Sequence, residues 1–191
     1  MVDLKELVTR IRALLAAAET AGRLGLDPGA RNRVESALHH IDKTERMLDA
    51  FLQGEAPASD GDGWLRIFGV MQALVVEQDA VAHLVKDLEV GDEIALEWKH
   101  RELRRGAVGH PVQRKDGIRS HITSGSDPAF RSFSLRTVFA DGRPDATEQV
   151  EVPVLIRAQR ELVAQALFLV LQSLSRGRDG TERSKGQGDT Q

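Results

Sequence analysis

Cysteine is absent from this 191-residue chain, which excludes disulfides, thiolate metal sites and cysteine nucleophiles. Tyrosine is absent as well, and aromatic residues make up only 4%. A protein that binds RNA by stacking bases on a sheet wants more than that. No stretch of eighteen unbroken apolar residues occurs, so no membrane span is expected. A signal-peptide layout is also missing: Asp3, Lys5 and Glu6 interrupt the first turn, and no apolar core with a small-residue cleavage site follows. A cytoplasmic protein is the expectation. No glycine-rich phosphate loop, Gly-x-Ser-x-Gly elbow or zinc spacing is present, so neither a cofactor nor a metal is expected.

Hydrophobic residues make up 41% of the chain, enough for one ordinary domain with a single core. The net charge of −3 provides no overall attraction to nucleic acid. The charge is unevenly spread, however. From Glu97 to Arg143 there are ten Lys/Arg against five Asp/Glu, a local +5 that leaves −8 on the remainder. A basic stretch on an acidic body can focus a field on a polyanion. A solvated helix face followed by a loop accounts for the same residues.

Hydrophobic spacing predicts helices. Leu4, Leu7, Val8, Ile11, Leu14, Leu15 and Ala18 keep the three-and-four rhythm of one helix stripe, fading near Gly22 to Gly25. Asp27-Pro28 reads as N-cap and first helical residue of a second helix, whose stripe is Val34, Ala37, Leu38, Ile41, Leu48 and Phe51. Gly54 to Gly63 reads as a loop. Trp64 to Leu88 is apolar nearly all round, as expected of a helix at the centre of a bundle. Gly91-Asp92 breaks it. A fourth helix is expected from Ile94 to about Val108, ending near Gly109, with Pro111 preventing continuation.

The period then changes. Phe133, Leu135, Thr137 and Phe139 alternate with polar residues, as in a half-buried strand. Ala140 to Pro144 reads as a turn, Gln149 to Val152 as a returning strand, and Ile118 to Thr123 as an edge strand. Pro153 opens a last helix with the stripe Leu155, Ile156, Leu162, Val163, Ala166, Leu167, Val170, Leu171 and Leu174. The expected fold is mainly α: a bundle of about five helices with a small β-hairpin inserted before the last. One domain is expected over residues 1–176, with the β insertion at about 117–152 and a disordered tail over 177–191.

The segment Arg101-Glu102-Leu103-Arg104-Arg105-Gly106-Ala107-Val108-Gly109-His110-Pro111 carries a resemblance. It resembles the signature of the HEPN superfamily: an Arg, usually followed by a polar residue such as Asn, then a His four to six residues on. It is also similar to a form found in small bacterial proteins of this type, Arg-Glu-Ile-Arg-Asn followed shortly by Val-Gly-His-Pro. Arg104 and His110 take the signature positions, and Arg105 stands in the usual Asn slot. Phe68-Gly69-Val70-Met71-Gln72-Ala73-Leu74 with Gln78-Asp79-Ala80 resembles the same proteins. The resemblance covers roughly Trp64 to Pro111.

The resemblance implies a HEPN-like helical bundle that dimerises with two Arg…His motifs facing one cleft. It further implies a metal-independent endoribonuclease of toxin or defence type, with RNA as substrate and a cognate antitoxin or other protein as partner. The residue chemistry suits that role. A ribose 2′-OH must lose a proton as it attacks phosphorus, and the 5′-oxygen must gain one as it leaves. His110 titrates near neutrality and can serve as base or acid. Arg104 keeps its charge and can hold a phosphate bidentately as negative charge builds. Arg105 can position the same phosphate with more charge than Asn. Arg101, Arg114, Lys115 and Arg119 flank the motif and can track an RNA backbone, with His121 pointing the same way.

Two further readings stand beside the enzyme. One is a non-catalytic HEPN-like module for dimerisation or binding. The other is a helical structural protein in which Gly109, His110 and Pro111 simply stop a helix and the arginines complement its dipole. Two sets of acidic and His residues, Glu35, His39, Asp42 and Asp79, His83, Asp87, read more simply as solvated faces than as a bundle metal site. Gln72, Gln78 and Asp79, on an otherwise apolar helix, read as a buried polar network or a cleft lining, the network being favoured.

Overall fold

The computed structural model describes residues 3–20, 25–90, 119–125 and 129–184. Among these the chain is mainly helical, with four helices and one small antiparallel sheet. The order is α1 (Leu4–Thr20), α2 (Pro28–Gln53), α3 (Asp60–Asp87), β1 (Arg119–Gly125), β2 (Ser132–Val138), β3 (Ala146–Glu151) and α4 (Val152–Ser184). The fourth helix predicted over 94–108 lies outside the described residues, so five helices are not seen here.

Side-chain caps set where the helices start. Asp3 Oδ1 accepts the Lys5 amide at 2.9 Å ahead of α1. Asp27 Oδ1 accepts the Ala30 amide at 2.9 Å and so caps α2, as Asp27-Pro28 predicts. That bond to the Ala30 amide is the main reason the Asp27 carboxyl sits below its ordinary pKa. The third start differs from expectation: α3 begins at Asp60, not Trp64. Ser59 caps it, its Oγ taking the Asp62 amide at 3.2 Å, while Asp62 Oδ2 reaches back to the Ala58 amide at 3.0 Å. Ser59 and Asp62 thus cap the helix start jointly, in a segment whose Gly and Pro content reads as loop. α3 ends at Asp87 and is closed off by Glu89 with φ 51°, the Val90 amide bonding back to Val85 O at 3.0 Å. This is a left-handed helix cap without the usual glycine.

The described chain divides into two compact units. The first holds α1, α2 up to Glu45, α3 from Asp79 and α4 from Arg160. Its buried stripes are Leu4, Leu7, Val8, Ile11 and Leu15; Val34, Ala37, Leu38 and Ile41; Val81 and Leu84; and Val163, Leu167 and Val170. Each repeats at three or four residues, which keeps one face of each helix out of water. Polar clamps link the segments. Arg33 Nε meets both Asp87 oxygens at 3.1 Å, tying α2 to α3. Arg160 joins α4 to α2 through Glu45. α4 continues past Arg176 as far as Ser184.

The second unit carries the sheet and the other portions of α2, α3 and α4. The strand order is β1-β2-β3, antiparallel throughout. Phe133 stands opposite Val150 and Leu135 opposite Ile122, which puts these apolar side chains on one face. That face closes a core with Leu48, Ile67, Val70, Met71, Leu74, Val152 and Ile156. Phe133 is fully buried, and burying a side chain of that size is worth about 2–3 kcal/mol. The hairpin forms as its alternation predicts, and the edge strand is present; β3 starts earlier than expected, at Ala146. A bulge between Ile122 and Ser124 shifts the β1 register.

One expectation needs correction. α3 is not buried all round: Leu65 is 72% exposed and Phe68 39%. The apolar residues exceed what the available partners cover, so a stripe of the helix faces water.

Candidate functional site

The motif residues Arg101, Arg104, Arg105 and His110, with Arg114 and Lys115, lie outside the described residues. Arg119 opens β1, its backbone paired with Val138. Its neighbour His121 is exposed and faces Arg136 across the β1–β2 ladder. Arg136 in turn bonds Asp145, Nε at 3.0 Å. The face of the sheet turned away from the core therefore carries a His beside a neutralised Arg, with Ser134 and Gln149 bonded at 3.0 Å next to them. Among the described side chains this face is polar, and Arg136 is paired with Asp145.

The described chemistry lies in the interior. Glu77, Gln78 and Gln159 are all fully buried. Gln78 Nε2 donates to Gln159 Oε1 at 2.8 Å. Gln159 Nε2 donates to Leu74 O and to Glu77 Oε2, both at 3.1 Å. Because Gln159 Nε2 meets two acceptors, its amide has one workable orientation, and that orientation fixes Gln78. Gln78 Oε1 is left with no partner. Of the expected polar trio, Gln78 belongs to a buried network, whereas Gln72 and Asp79 are exposed. What the network does is orient a buried carboxylate between α3 and α4.

Gln159 and Glu77 escaped the sequence reading, although a signal was there. Ile156, Gln159 and Val163 are spaced three and four apart, which puts Gln159 in line with the apolar stripe of α4. Glu77 has the same relation to Leu74 and Val81, and Glu45 to Ile41 and Leu48. A polar residue at a core position of a helix is a buried partner in waiting.

Two of the acidic residues weighed as metal ligands pair with arginines. Glu35 lies 3.8 Å from Arg12, and Asp87 is held by Arg33. Among the described residues no three His, Asp or Glu side chains converge on a point. An open groove of about 430 Å³ lies between α2 and α3 in the second unit. Met47, Phe51, Gly69 and Val70 line it, together with Arg66. The Arg66 guanidinium is engaged by Asp62 Oδ1 at 3.2 Å and by Glu55 O at 2.6 Å. After the Ala58 amide, the hydrogen bond from Arg66 holds the Asp62 carboxyl below its ordinary pKa. None of the described helices is long and apolar enough to cross a membrane.

Compared with family models, with curated proteins and with solved structures, the chain finds no match.

Proposed function

We propose that this chain is a HEPN-like, metal-independent endoribonuclease of toxin or defence type. The observation that carries the reading is the spacing of Arg104, His110 and Pro111 within a mainly helical chain. The local +5 between Glu97 and Arg143 supports it, because a polyanionic substrate is drawn to such a stretch. His110 moves the proton of the 2′-OH or of the leaving 5′-oxygen, and Arg104 and Arg105 hold the phosphate. Arg101, Arg114, Lys115 and Arg119 follow the RNA backbone. Two copies contribute their motifs to one cleft, and a cognate antitoxin is the expected protein partner. The cytoplasm is the proposed location.

Purified protein should cleave RNA in the presence of a chelator. His110→Ala or Arg104→Ala should abolish cleavage while the circular dichroism spectrum stays that of the wild type. Arg105 in place of Asn favours one second reading, a non-catalytic HEPN-like binding module. Failure of the wild type to cut any RNA, with RNA binding retained, selects that module and rejects the enzyme.

A further inference from the structure

Phe130 has φ 52°, a left-handed backbone that a bulky side chain reaches only against steric resistance. Two other positive φ values have ordinary reasons: Gly142 lies in the hairpin turn, and Glu89 caps a helix. Phe130 directly follows the turn residue Ala129, and a side chain of its bulk keeps such a backbone only where its surroundings hold it. Its ring lies in a notch in the first turn of α3. Gly63 forms the floor, and a Cβ there would run into the ring. Trp64 forms the wall, meeting the ring edge-on with centroids 5.4 Å apart.

The next residue fastens two more helix ends. Arg131 donates to Leu52 O at 3.0 Å and to Gly54 O at 3.3 Å, at the C-terminus of α2. Its own carbonyl accepts the Val152 amide at 2.9 Å, at the first residue of α4. The start of α3, the end of α2 and the start of α4 thus share one short strap. Helix ends are where local opening begins.

We infer that Phe130–Arg131 is a strained strap that opens and closes as a unit while the core of Leu74, Phe133 and Ile156 stays folded. Ring burial against Gly63 and Trp64, at the margin of the same buried cluster that holds Phe133, keeps it shut, and release of the left-handed backbone favours opening. Opposed terms of this kind make an element with two arrangements rather than a continuously deformable one. Opening frees the Val152 amide and bares the Trp64 face together with a slot the size of one aromatic ring.

Native-state amide exchange across a urea series tests this. The Val152 amide should exchange at least about tenfold faster than the Met71 amide in the core of α3, with a shallower urea dependence. Gly63→Ala, which evicts the ring, should speed Val152 exchange further, while Met71 keeps its steeper urea dependence. Should that variant fail to fold, Phe130→Ala makes the same comparison without crowding the notch. If Val152 and Met71 exchange through the same opening, with equal urea slopes, the strap is a static anchor and the inference is overturned. It is equally overturned if a folded notch variant leaves Val152 exchange as in the wild type.

Discussion

Arg160 on α4 grips Glu45 on α2 with two arms of its guanidinium, Nε to Oε1 at 3.1 Å and Nη2 to Oε2 at 3.0 Å. The side chains are only 12% and 7% exposed. A fork of this kind on a buried carboxylate is geometrically demanding, and removing one partner strands the other charge. Glu45→Ala is expected to lower stability by about 3–5 kcal/mol, read from urea unfolding. The double replacement Glu45→Leu with Arg160→Met should cost clearly less than either single change. If the double variant is as unstable as the sum of the singles, the pair is not coupled.

Within the Gln78–Gln159–Glu77 chain the two amides are unequal. Loss of Gln159 strips one donor each from the Glu77 carboxylate and Leu74 O, and an acceptor from Gln78. Loss of Gln78 removes one bond and one acceptor that was already unpaired. Gln159→Leu should therefore destabilise by about 2–3 kcal/mol and Gln78→Leu by about 1 kcal/mol. Denaturant unfolding of the two variants decides, and equal costs would contradict the bonding order.

The capping carboxylates predict an acid limb. Asp27 is held below its ordinary pKa chiefly by the Ala30 amide, and Asp62 chiefly by the Ala58 amide. Their folded values lie below their unfolded ones. Their contribution is therefore complete above the unfolded value, near pH 4, and is lost as pH falls through the lower folded values. Asp27→Asn keeps a capping oxygen but cannot titrate. Its urea midpoint should fall less steeply between about pH 4 and pH 2 than that of the wild type.

Arg105 gives the proposed RNA site a signature in salt. Each phosphate contact adds about one to the slope of log affinity against log salt. Arg105→Asn should reduce that slope by about one, whereas His110→Ala, measured where the ring is neutral, should leave it unchanged. Fluorescence anisotropy with a labelled single-stranded RNA reads both. A slope that ignores Arg105 would remove it from the phosphate site.

How legible the fold was depended on the range of the interactions involved. Asp27-Pro28 announced α2 because capping is local, settled within one turn. The alternation of Phe133, Leu135 and Thr137 announced β2 because a strand's faces alternate with period two. Ser59 and Asp62 were hidden by the glycines and proline around them, although their spacing was a cap all along. The proposed catalytic pair is known from the spacing of Arg104 and His110 alone.

The sequence by itself determined the mainly helical class, the inserted sheet, the apolar stripes and the Arg104–His110 spacing, because periodicity and short motifs are properties of neighbouring residues. Only the tertiary structure decided that Leu65 and Phe68 face water. The same holds for the partners Glu45 found in Arg160, Gln78 in Gln159, and Phe130 in Gly63. Those pairings join residues far apart in the chain, and no local pattern says which helix face will meet which.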